Sequence, residues 1–237
     1  MILGIISRCK GKSRKRGLFW KVLVCNLSEN VLVAEIPFSL DEISKMPDKR
    51  RERVLKKAEN ALRNAGADKI ILTRELKKEP FDIAEIFYKL VPNAVRLISA
   101  YFEIEPLYTL CVRQKSPDFK AFSVLKSLIF DGDNIKVLTD KAHKGAVIRE
   151  RIMEEFGAVT EIFPYNFVSE NGITVNLDKN EVCVFGKWVL KDFTLDVETF
   201  GYDVDSVELF YQMGGDFDEI VIKGCVCGKN KLTLDRK

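Results

Sequence analysis

The clearest hydrophobic pattern in the chain lies near its middle. Ile135 to Thr139 is a short apolar run, Gly145, Ile148, Ile152 and Phe156 then recur at helical spacing, and Val159 to Phe163 is apolar again. Arg149, Glu150, Glu154 and Glu155 fall mainly on the other faces of the helix, and Gly157 stands where a helix ends in a left-handed turn. Strand, helix over Lys141 to Phe156 and strand, in that order, predict a Rossmann-like βαβ unit over about 135–163.

Before this unit, Leu18 to Leu27 and Val31 to Ile36 are two strand-like runs joined by Ser28-Glu29-Asn30, a hairpin signal, and Met1 to Ile6 reads as a third strand. Ser39-Leu40-Asp41-Glu42 has the form of a capping box. Beyond Pro47, the residues Val54, Leu55, Ala58, Ala61, Leu62 and Ala65 form a helical stripe closed by Gly66, and Lys69 to Thr73 reads as a buried strand. Phe81 to Phe102 is helical in pattern and divided by Pro92, and Leu107 to Arg113 is strand-like. Ser116-Pro117 predicts an N-cap followed by proline at the first helical position, leading into Phe119, Phe122, Leu125 and Ile129.

After Pro164 the period changes from helical to alternating. Ile173 to Asn176 and Val182 to Phe185 flank Asp178-Lys179-Asn180 as a second hairpin, and Trp188 to Val197 continues as a strand. Asp205-Ser206-Val207-Glu208 predicts another capping box and a short helix ending at Gly214-Gly215; Glu219 to Cys227 and Lys231 to Leu234 predict the last strands. The expected fold is therefore α/β: a mixed sheet with a βαβ unit and antiparallel hairpins at both ends. Gly-Ala ends a helix before an apolar strand twice, at Gly66-Ala67 and Gly157-Ala158. The echo is compatible with two related α/β halves, but helix-end chemistry alone produces such echoes and is the first explanation.

Charge divides the chain. Residues 1–120 carry 24 Lys+Arg against 15 Asp+Glu, a net of +9, whereas 121–237 carry 14 against 20, a net of −6. With Pro106 and Pro117 as punctuation, this suggests a basic α/β region over 1–110 and an acidic Rossmann-like region over 111–237, or one continuous domain. At 46% hydrophobic and 31% charged residues the chain has globular composition, which excludes disorder. No apolar run reaches the roughly 20 residues that span a bilayer, and the order of apolar then basic residues at the N-terminus is the reverse of a secretion signal. The expectation is a cytoplasmic protein with no membrane contact.

Candidate chemistry is sparse. Cys25, Cys111 and Cys183 sit among apolar neighbours, where reduced thiols behave as small hydrophobes. Cys225-Val-Cys227 places two sulfurs on one side of a strand, but His143 is the only histidine, and no metal is expected. Asp131 and Asp133, Asp203 and Asp205, and Asp216 and Asp218 are carboxylate pairs able to hold Mg²⁺; turn and cap chemistry explains them first. There is no G-x-G-x-x-G or Walker A loop, and no serine or cysteine sits in a nucleophile elbow.

One place has a physical rationale for binding. Ligands of open α/β sheets gather beyond the carboxyl ends of parallel strands, at the N-termini of the following helices. Here that rule selects Thr139, Asp140, Lys141, His143 and Lys144, a segment suited to a phosphate or carboxylate. The plain alternative makes Asp140 an N-cap and the basic residues solvated surface. A second basic group comprises Arg8, Lys10, Lys12, Arg14, Lys15 and Arg16 together with Lys49, Arg50, Arg51, Arg53, Lys56, Lys57 and Arg63. It carries a nucleic-acid reading, opposed by helical pairs such as Glu52–Lys56 and Glu59–Arg63, which describe a solvated face. Three functions follow in order: a small anionic ligand or protein partner at the α/β crevice; an enzyme acting on a phosphorylated or carboxylated substrate there; and a nucleic-acid binder. No cofactor, catalytic residue or oligomeric state is specified.

Overall fold

The computed structural model describes residues 1–8, 20–104, 108–132, 134–215, 222–227 and 230–233. Cys9, the basic segment Lys10 to Arg16, Asp133, Asp216 and Asp218 lie outside them. The chain opens with β1 (Leu3–Arg8), β2 (Leu23–Ser28), β3 (Val31–Ile36), α1 (Leu40–Ser44), α2 (Asp48–Asn64) and β4 (Lys69–Leu72). It continues with α3 (Phe87–Tyr101), β5 (Thr109–Arg113), α4 (Phe119–Leu128), β6 (Asn134–Thr139), α5 (Ala142–Phe156) and β7 (Thr160–Pro164). The last elements are β8 (Gly172–Asn176), β9 (Glu181–Val184), β10 (Trp188–Leu195), α6 (Ser206–Gln212), β11 (Ile222–Cys227) and β12 (Asn230–Thr233). Cys225 and Cys227 fall on β11. Among the described residues no helix is long and apolar enough to cross a membrane.

Two compact units result. One combines Met1–Phe81 with Val197–Gly215, and the other combines Asp82–Asp196 with the C-terminal strands. In the first, a four-stranded sheet has the order β2-β3-β1-β4. The expected hairpin is present as antiparallel β2 and β3, while β3 and β4 both run parallel to β1 between them. The apolar stripe of α2, Val54, Ala58 and Leu62, is buried against Ile6, Leu32, Ala34 and Ile36. Gly4 permits that approach, because a Cβ there would stand 2.9 Å from Leu62 Cδ1 and 3.1 Å from Ala67 Cβ. The opposite face, Leu3, Ile5, Val31, Val33 and Ile71, is covered by Val204 and Leu209 from the returning segment. Each such side chain contributes about 1.5–3 kcal/mol on burial.

Local capping follows the sequence in part. Ser39 and Glu42 form the complete capping box of α1. At α6 only half of the expected box exists: Asp205 accepts from the amides of Val207 (3.0 Å) and Glu208 (3.1 Å). The Glu208 carboxylate pairs with Lys77 instead.

In the second unit an eight-stranded mixed sheet has the order β12-β11-β10-β9-β8-β5-β6-β7. Strands β7, β6, β5 and β8 are parallel to one another; β8 to β12 alternate as antiparallel hairpins and meanders. Thus the mixed α/β class and the βαβ unit hold, with α5 linking parallel β6 and β7. Leu110, Val112, Ile135, Val137, Ile173 and Val175 are each at most 4% exposed and form the shared hydrophobic rows. Two local expectations are corrected. The α4 cap is Asp118, whose Oδ1 accepts from Lys120 N at 2.8 Å, so Ser116-Pro117 precedes the helix rather than opening it. Pro92 does not divide the 81–102 segment: α3 runs through it, with Leu90, Val91, Ala94, Val95 and Ile98 all buried. That packing offsets the roughly 3 kcal/mol attached to an interior proline.

Candidate anion site at the carboxyl rim of the parallel strands

The carboxyl ends of β5, β6 and β8 bring together residues distant in sequence. Thr139, the last residue of β6, is 5% exposed and acts as a bracket. Its Oγ1 donates to the Lys115 carbonyl at 2.9 Å and accepts from the Lys141 amide at 2.9 Å. The Asp140 amide donates to the same Lys115 carbonyl at 3.3 Å. Asp140 is therefore not the helix cap: Lys141 occupies that position, and α5 has no side-chain cap. The amides of Lys144 and Gly145 turn back to the Lys141 carbonyl at 3.0 and 3.1 Å. Those of Ala142 and His143 have no partner among the described residues, and Asp140 to Lys144 are all exposed.

Gly145 lets the helix begin this close to the sheet. A Cβ there would lie 3.2 Å from Thr139 Cγ2 and 3.3 Å from Ile162 Cγ2. Replacing Thr139 by valine keeps the volume but removes both the acceptor of the Lys141 amide and the donor to the Lys115 carbonyl. We expect a loss of about 1–3 kcal/mol, checked by urea denaturation, with faster amide exchange at Lys141 than in the wild type.

Basic side chains and the carboxylates of Asp140 and Asp178 share this rim. Lys144 Nζ reaches Ser116 Oγ at 2.7 Å, which holds one ammonium beside the β5–α4 loop. Lys115 donates its amide to Asp178 Oδ2 at 2.8 Å, and Leu177 donates to the Arg113 carbonyl at 2.9 Å. These bonds tie the β5 and β8 ends together. Arg113 donates to the Phe167 carbonyl at 2.6 Å, and its buried Nε has no partner among the described residues. Arg113 and Lys115 both face the Tyr165 ring, at 5.6 and 5.8 Å from its centroid. Burial, followed by the hydrogen bond to Asp178 and its charge, pushes the Tyr165 hydroxyl above its ordinary pKa.

The five residues selected from the sequence thus lie on one exposed turn, with Thr139 as scaffold beneath it. Arg113, Lys115, Ser116 and Asp178 escaped the sequence reading. The same strand-end rule applied to Leu107–Arg113 reaches the first three, but Asp178 joins them only through the order β8-β5-β6.

Several of the other candidates have local partners among the described residues. Asp131 pairs with Arg96 at 3.0 Å, Asp203 lies 3.9 Å from Arg74, and Asp205 caps α6. On α2, Arg51 donates to the Leu76 carbonyl, Lys57 to the Trp20 carbonyl, and Arg63 to the carbonyls of Ala67 and Asp68. Among the described residues no three of His, Cys, Asp and Glu gather as a metal site. Compared with family models, with curated proteins and with solved structures, the chain matches none.

Proposed function

We propose that this protein captures a small phosphorylated or carboxylated ligand at the carboxyl rim of β5, β6 and β8. The observation that carries the reading is the exposed, uncapped first turn of α5 beside a parallel layer, with Lys115, Lys141 and Lys144 around it. Two unsatisfied amides and a helix dipole supply directional donors, and the ammonium groups supply long-range attraction. His143, in the same turn, adds a ring N–H donor. The free thiols of Cys25 and Cys111 support a reducing, cytoplasmic setting.

Calorimetric titration of the full chain with inorganic phosphate and with a phosphomonoester tests the reading. Binding is expected to weaken by about tenfold in the Lys141→Ala, Lys144→Ala double variant, since each exposed charge is worth about 0.3–1 kcal/mol. Affinity unchanged in that variant would remove the basis for the assignment.

A further inference from the structure

Each sheet leaves two strands at its edges, β2 and β4 in the first and β12 and β7 in the second. An edge strand presents a row of backbone N–H and C=O groups on which another strand can pair, and charged residues or proline along it discourage that pairing. Three of these four strands carry such residues: Lys69 in β4, Glu161 and Pro164 in β7, and Lys231 in β12. Strand β2, Leu-Val-Cys-Asn-Leu-Ser, has neither a charge nor a proline. Its exposed side chains are also apolar. Leu23 is 44% exposed and Leu27 40%, with the exposed free thiol of Cys25 midway between them. The register of β2 on β3 is regular from Leu23 to Asn26 and shifts only beside the turn, between Asn26 and Ser28.

This strand is complementary to itself. In an antiparallel pair of two copies with a two-fold axis through Cys25, a residue before Cys25 faces the residue equally far after it in the other copy. Leu23 then faces Leu27, and Lys21 faces Glu29, each pair occurring once on either side of the axis. Lys21 and Glu29 are both exposed and flank the strand at its two ends. Apolar side chains are thus matched near the centre and opposite charges at the ends. An in-register parallel alignment would set Lys21 on Lys21 and Glu29 on Glu29, which is unfavourable.

We propose that β2 is a self-association edge, pairing antiparallel with β2 of a second copy of this chain about Cys25. Backbone hydrogen bonds across the new seam supply the attraction, and the Leu23–Leu27 and Lys21–Glu29 pairs fix the register and direction. The pairing does not depend on anion binding. Strand addition alone buries less than the roughly 1,200 Å² of a standard interface, so the dimer is reversible, with a dissociation constant of about 10–1,000 μM.

The test is sedimentation velocity of the full chain in reducing buffer, from micromolar to millimolar concentration, followed by trapping with diamide. Two Cys25 thiols form one disulfide while diamide takes up their two hydrogens, and this covalent dimer should be lost in Cys25→Ser. Lys21→Glu and Glu29→Lys, both at exposed positions that leave the core intact, should each weaken association by about fivefold or more, and the two together should restore it. A chain monomeric at every concentration, a dimer indifferent to the single reversals, reversals not rescued in the double variant, or diamide dimers undiminished in Cys25→Ser would overturn the proposal. So would hydrogen exchange showing the outward amides of β2 protected in the monomer, since another segment would then cover the edge.

Discussion

Replacing Lys77 by alanine is expected to destabilise the protein by about 3–5 kcal/mol, one of the largest effects of a single substitution on a charged residue in this chain. Lys77 and Glu208 form an ion pair whose side chains are only 12% and 14% exposed. Glu208 lies on α6, in the segment that returns to cover the first sheet. Burial pushes its carboxyl above the ordinary 4.5, and Lys77 opposes that shift through its hydrogen bond and charge. Without Lys77, a desolvated carboxylate remains with no counter-ion.

The pH dependence has a definite sign. A carboxyl with a raised folded-state pKa ionises first in the unfolded chain, so stability falls as pH rises above 4.5 through the folded value. The upward shift is larger in Lys77→Ala. Its deficit should therefore be greatest near neutral pH and shrink as the solution approaches about pH 4.5. Urea midpoints of both proteins across this range measure it. Adding Glu208→Gln to Lys77→Ala should recover most of the loss at neutral pH. A deficit independent of pH, or no recovery, would show that the pair is not what holds α6 in place.

Gly172→Ala is the second large effect, with an expected loss of about 3 kcal/mol or more, at the upper end for overpacking. Gly172 begins β8 and pairs with Thr109 of parallel β5. A Cβ at Gly172 would stand 2.1 Å from the Thr109 carbonyl oxygen, a backbone atom that cannot rotate away. Relief requires shifting β8 against β5, the junction on which the Arg113, Lys115 and Asp178 cluster depends. The variant should therefore lose phosphate affinity as well as stability. Gly157→Ala provides a contrast. Its φ is 68° with nothing within 4 Å of the added carbon. Only the left-handed backbone penalty, of order 1–2 kcal/mol, applies there.

Much of this architecture is visible along the chain because it is local. The α5 stripe and Gly157 define a helix between two apolar runs, and parallel β6 and β7 follow from the length of that crossover. The hairpins β2–β3 and β8–β9 are equally local. Three features resist such reading. Val204 reads as a loop residue and Leu209 as one position of a short helix, but their partners Leu3, Ile5 and Val31 lie most of the chain away. Ser116 and Asp118 are both good caps, and only the β5–α4 geometry selects Asp118. Pro92 obeys the rule for ending helices in isolation, whereas burial on both sides of it keeps α3 continuous. The candidate site shows the same division. Its turn from Thr139 to Lys144 is contiguous in sequence and Arg113 and Lys115 lie at a neighbouring strand end, while Asp178 arrives only through strand order.

In the proposed site the opening amides of α5 receive an anion. An amide-resolved NMR titration of the full chain with inorganic phosphate addresses it most directly. Ala142 and His143 amides should shift most, moving downfield as they acquire an acceptor, and the response should collapse in the Lys141→Ala, Lys144→Ala variant. Shifts confined to the Lys49–Arg63 helix, or amides at Ala142 and His143 that do not respond, would contradict it.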